Sequence, residues 1–286
     1  MKEKLLKIFE MAKPAYEPVI KENFDGPDKA FPSILKAAFA KSFEFNLSCN
    51  LPDNTQESYF LMSALRGICE DLISIKYIRD HLKTHRNKLI GLMVQKRNLE
   101  GIQAQQIFFK DYAPSQPIIV VDDTESEIQA ISKEIKSVLI ANGLKGDKDF
   151  PSVAQMATDT KLIKLYNYLY YATSKTVHFE PALLLRLGWS DTVGDTNFTF
   201  STRNFPVYNQ SFNSFYAAFL FVEFYQTFKK DLSLERAFKP IVKQIKKVLD
   251  EELRMPELVT YEELNIKPPS PVTRVLLKAT SETKNK

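Results

Sequence analysis

Between Thr55 and His81 apolar side chains recur at steps of three and four: Tyr59, Met62, Leu65, Cys69, Leu72, Ile75 and Ile78. That spacing puts them on one face of a long amphipathic helix. Asp53 to Thr55 in "PDNT" are placed to cap its start. The same period predicts helices over 3–22 (interrupted at Pro14 and Pro18), 29–48, 86–110, 124–142, 159–178, 209–230 and 233–254. Thr124 and Glu127 have the spacing of a capping box. The expectation is an all-α fold, a single helical bundle of about eight helices, with short loops such as 82–85 joining antiparallel neighbours.

Two stretches break the helical period. Residues 194–209 alternate Phe198 and Phe200 with Thr and Ser, which predicts a short β-hairpin near 197–209. Residues 265–286 combine Pro, Lys and Ser/Thr without sustained periodicity and read as a flexible tail. The organisation expected is an N-terminal helical pair over 1–50 packed on a core over 51–264, followed by that tail.

Composition removes several functional classes. Glycine occurs only 8 times, about 3% of the chain against a usual ~7%. No GxGxxG or GxxxxGK[ST] run is present, which argues against Rossmann and P-loop nucleotide enzymes. Cys49 and Cys69, with no signal-peptide pattern ahead of them, read as free buried thiols in a reducing cytosol, so the expected location is cytoplasmic. The most apolar run, "FYAAFLFVEFYQTF" at 215–228, is too short to cross a bilayer and contains Glu223, so it reads as a core helix and no membrane partner is expected. Net charge is +4. The basic residues are mostly Lys, spread along the chain, which reads as a solvated surface that permits an anionic partner without requiring one.

One polar constellation stands out. In "YYATSKTVHFEP", Tyr171, Ser174 and His178 fall at i, i+3 and i+7 and project from one helix face, opposite Leu162, Leu165, Tyr166 and Leu169. Arg66 and Glu70 interrupt the apolar pattern of the helix at 55–81 at i, i+4. Charges inside a core-facing segment cost several kcal/mol unless paired, so each needs a polar partner. Two readings stay open. Arg66 and Glu70 form an intrahelical pair and His178 is a satisfied histidine near a helix end; or His178 transfers a proton, Arg66 binds an anion, and Glu70 and Tyr171 orient them.

Other arrangements are thinner. His81 and His85, four apart, could share an ion, but spacing offers no third ligand and HExxH is absent, so no metal or cofactor is expected. Ser174 beside His178 lacks the glycines of a GxSxG elbow.

"ALRGICEDLISIKYI", "YYATSKTVHFEP" and "MPELVTYEELN" together resemble a bacterial helical family of unknown function that carries R-x3-E on one helix and Y-x2-S-x3-H on another. That family in turn resembles HEPN domains, all-α proteins many of which are metal-independent ribonucleases in phage-defence and toxin systems. The resemblance spans residues 55–264 and implies an RNA-cleaving site at His178, Arg66, Glu70, Tyr171 and Ser174. HEPN ribonucleases place an arginine ahead of the histidine with four to six residues between. Here those positions hold Thr173, Ala172 and Tyr171, so catalysis requires Arg66 from the neighbouring helix. A formal match, Arg79 to His85, straddles the expected helix end. The alternative function is a non-catalytic helical module that binds a partner protein, a second copy of itself or a nucleotide.

Overall fold

Pro206 opens the helix around which one half of the molecule is built. Proline at a first helical position has its φ preset and leaves no N–H unsatisfied. From there Pro206–Phe228 (α9) runs as 23 residues with buried side chains on every face. A helix of that kind must be enclosed by other helices. The computed structural model describes residues 1–21, 29–121, 123–146, 149–177, 181–190, 197–252, 255–258, 270, 272–273 and 275. These are overwhelmingly helical, in the order α1 (Lys2–Ile20), α2 (Ala30–Asn50), α3 (Ser58–His81), α4 (Arg86–Tyr112), α5 (Thr124–Ala141), α6 (Val153–Asp159), α7 (Ile163–Val177), α8 (Pro181–Arg186), β1 (Gly188–Trp189), β2 (Thr199–Phe200), α9 and α10 (Glu235–Glu251).

The chain divides into two compact units. The first comprises Met1–Lys21, Lys36–Leu72 and Lys164–Lys286, and the second Glu22–Leu35 and Ile73–Ile163. In the first, α2 runs antiparallel to α9: the Asn46 amide donates to the Ala217 carbonyl at 3.0 Å and the Gln210 amide to the Leu51 carbonyl at 3.2 Å. α1 and α10 pack against α9 and each other. The seam is aromatic. Phe221 meets Phe9 at 5.1 Å and Phe39 at 5.7 Å, Phe39 meets Phe238 edge-on at 5.2 Å, and Tyr16 stacks on Phe43 at 4.1 Å. Such pairs add about 0.5–1.5 kcal/mol each beyond the burial of their area.

In the second unit α4 packs on α5. Asp149 accepts from Lys96 and, at 2.9 Å, from the Ser132 hydroxyl, while Lys136 stands at 3.6 Å. The Lys96 bond above all holds the Asp149 carboxyl below its ordinary value. Asn142, just past α5, fixes the α3–α4 turn: its carbonyl accepts the Lys83 and Thr84 amides at 3.0 and 3.1 Å.

The long helices follow the hydrophobic period, and the departures have local causes. α1 continues through Pro14 and Pro18 instead of breaking there. Both prolines are exposed, where water can serve the carbonyls they free. The helix expected over 159–178 starts later, as α7 at Ile163, and a further short helix, α6, which the period did not predict, precedes it. α6 ends where Lys161 takes φ 63°, with the Leu162 amide reaching back to the Ala157 carbonyl at 2.8 Å, a Schellman closure. α6 opens on Ser152, whose hydroxyl accepts the Gln155 amide at 3.3 Å. A 3₁₀ turn, Pro52–Asn54, precedes α3, and Thr55 donates to the Pro52 carbonyl instead of capping the helix. Asp123, not Thr124, is the N-cap of α5, and it makes no side-chain cap.

The expected hairpin also has a different partner. Thr199–Phe200 pairs antiparallel with Gly188–Trp189, upstream of the alternating stretch, because Pro206 has already committed the following residues to α9. A side chain at Gly188 would meet the Phe200 ring at 2.9 Å, so glycine permits this close pairing. Cys49 and Cys69 are free and buried. Among the described residues no helix is long and apolar enough to cross a membrane. The expected tail over 265–286 lies outside the described residues, apart from Ser270, Val272, Thr273 and Val275.

Phe221→Ala is expected to destabilise the chain by about 3–5 kcal/mol in urea titrations, because it removes a ring touching four others. Met11→Ala, 68% exposed on α1, should shift stability by less than about 0.5 kcal/mol. Equal effects would contradict this account of the core.

Candidate functional site

α3 and α7 supply the two halves of the constellation, and within the first unit they meet through matched i, i+4 pairs. Arg66 and Glu70, one turn apart on α3, form an ion pair with Nε donating to Oε1 at 2.8 Å. Tyr166 and Tyr170, one turn apart on α7, lie ring to ring at 5.4 Å. The Arg66 guanidinium stands over the Tyr170 ring, 4.5 Å from its centre. The Glu70 bond fixes the plane of the guanidinium, and the ring face receives its charge.

The electrostatics follow from this packing. The Glu70 hydrogen bond raises the Arg66 pKa above its ordinary value, against the opposing effect of partial burial. Burial raises the Tyr166 phenol, and Glu70 adds to the shift while Arg66 offsets it. Cys69, buried beside Glu70, has its thiol pushed up to about 12, mainly by burial, and is therefore a packing group and not a nucleophile. The Arg66 and Glu70 side chains remain 23% and 28% exposed, so the pair lies at the border of core and solvent.

Further along α7, Tyr171 is 58% exposed and Ser174 half-buried. Thr173 between them is fully buried, its hydroxyl turned back to the Leu169 carbonyl at 2.7 Å. His178 directly follows Val177, the last residue of α7, and lies outside the described residues. Sequence reasoning picked out Arg66 and Glu70 by their charge but passed over Tyr166 and Tyr170. A tyrosine within an apolar stripe reads as core, and Tyr166 falls on that side with Leu162, Leu165 and Leu169. The available signal was the equal spacing of the two pairs on two helices.

The other sequence candidates take structural roles in the second unit. Arg79 Nε donates to Asp80 at 2.7 Å, and the His81 ring stacks on the buried Tyr77 at 4.6 Å. His81 closes α3 whereas His85, at φ 57°, is the N-cap of α4, so the two share no helix face. Among the described residues no group of three or more His, Cys, Asp or Glu is placed to hold a metal ion. A cleft of about 760 Å³, whose lining does not include Arg66, lies at the start of α9 among Lys2, Tyr208, Gln210 and Glu252.

Residues 59–195 match the model of a family of unknown function, DUF5677. The match covers just under half the chain and includes Arg66, Glu70, Tyr171, Ser174 and His178. No curated protein and no solved structure matches the chain.

The cluster makes a signed prediction about Tyr166, readable from its assigned ring resonances during an alkaline NMR titration. Glu70→Gln removes a charge that raises the phenol pKa and should lower it; Arg66→Ala removes one that lowers it and should raise it. Shifts of the same sign in both variants would contradict the geometry.

Proposed function

We propose that the chain is an HEPN-like, metal-independent ribonuclease, an activity suited to a toxin or a phage-defence protein. The observation that carries this reading is the position of Arg66: Glu70 and the Tyr170 ring hold its guanidinium against the helix that leads directly into His178. In this reading a cation from α3 takes the part of the arginine that is missing ahead of the histidine. His178 removes the proton of an RNA 2′-hydroxyl, and the freed oxygen attacks the adjacent phosphorus. Arg66 stabilises the negative charge of the pentacoordinate phosphate. The 5′-oxygen leaves and takes a proton from water, and the upstream fragment ends in a 2′,3′-cyclic phosphate. Glu70 orients Arg66, while exposed Tyr171 and half-buried Ser174 line the approach along α7.

One observation favours a second reading, a non-catalytic helical module that binds a partner protein or a nucleotide. A carboxylate 2.8 Å from Nε is also what a purely structural arginine requires, and it reduces the positive potential a phosphate would meet.

In buffer containing EDTA, the wild-type chain should shorten a single-stranded RNA and leave cyclic phosphate ends. Arg66→Ala and His178→Ala should each slow cleavage about 100-fold or more, with the double variant little slower than either. Melting temperatures should stay within a few degrees. Absence of cleavage by the wild type, or cleavage indifferent to both substitutions, would leave the binding module as the function.

A further inference from the structure

Although most lysines are spread along the chain, four of them and one arginine share one face of α10. Arg236, Lys239, Lys243, Lys246 and Lys247 are all exposed, and no Asp or Glu occurs from 236 to 249. At 3.6 residues per turn the five fall within an arc of about 100°. The opposite face, Phe238, Val242, Ile245 and Val248, is buried against the core. Like charges at i, i+3 and i, i+4 repel one another. Acids stand only at the ends, Glu235 before and Asp250 and Glu251 after, and Glu251 is paired to Lys4 at 2.6 Å. Lys246 also lies near Glu223 of α9, a half-buried carboxyl that burial raises above its ordinary value.

We propose that the exposed face of α10 is a docking surface for the phosphate backbone of RNA. The proposal deepens the ribonuclease reading by naming where substrate outside the cleavage site is held, and it rests on that reading for its partner. Charge and spacing argue for it. Arg236 to Lys247 spans about 16 Å at 1.5 Å per residue. Taking the roughly 3.4 Å of axis per phosphate in one strand of a DNA duplex as the scale of a nucleic-acid backbone, that length faces about five phosphates, against five cations. Four of the five are lysines, compact point charges that meet phosphates without reading bases, so binding should be independent of sequence. An anionic membrane is a poorer fit. A helix that inserts at a lipid surface needs its apolar face outward, and α10 has spent that face on the core.

The test uses the full chain, fluorescein-labelled 2′-O-methyl oligonucleotides of two unrelated sequences, which resist cleavage, and vesicles containing phosphatidylserine. The variant is Lys239→Gln/Lys243→Gln/Lys247→Gln, whose exposed positions preserve the fold; a melting curve confirms this. The wild type should bind both oligonucleotides alike. The variant should bind at least 10-fold more weakly at low salt, with a slope of log affinity against log salt shallower by about 2. Unchanged affinity in the variant, no oligonucleotide binding by the wild type, or a loss seen only with vesicles would overturn the proposal. Cleavage separates the two readings. Wild-type cleavage with the same KM in the variant sinks the surface alone, whereas salt-dependent binding without cleavage sinks the ribonuclease and keeps the surface.

Discussion

A helix buried on every side cannot stand alone in water, and α9 is such a helix. Enclosing it dictates the first unit. α2 runs antiparallel along it, held in register by the Asn46–Ala217 and Gln210–Leu51 bonds, and α1 and α10 close over its rings. Because Phe238, Val242, Ile245 and Val248 are drawn to that core, the remaining circumference of α10 is left to Arg236 and its lysines. The basic face is thus the outer consequence of an inner requirement. A partner that meets it meets charge and no grease.

Arg66 shows the same logic at a smaller scale. A guanidinium at the border of core and solvent needs its charge answered. Glu70 answers it along α3, and Tyr170 answers it from α7. A rigid arginine results whether the residue serves chemistry or only structure, which is why catalysis must be read from RNA products and not from stability. The raised pKa values of Arg66 and Tyr166 express that coupling, since each shift contains a contribution from Glu70.

Much of this was legible in the chain. The three- and four-residue steps of Tyr59 to Ile78 place α3, and the long helices end close to where the period fades. What the pattern cannot carry is anything decided by one backbone angle or by a distant partner. Lys161 at φ 63° splits α6 from α7, and nothing in its side chain announces a left-handed turn. Thr199–Phe200 looks like half of a hairpin, but its partner lies before it, at Gly188. Arg66 and Glu70 drew notice because charge is conspicuous in an apolar stripe; Tyr166 and Tyr170 did not, because tyrosine is at home there. The lysines of α10 look scattered in one dimension and gather only when wound onto a helix.

The central claim is that Arg66, seated on α7, is where this chain meets an RNA phosphate. The most direct measurement is a titration of the 15N-labelled full chain with a 2′-O-methyl oligonucleotide, following the Arg66 Nε–H and the Tyr170 ring. The account predicts that both resonances shift saturably and that excess inorganic phosphate reverses the shift in part. Resonances that stay unmoved while the oligonucleotide binds elsewhere on the chain would contradict it.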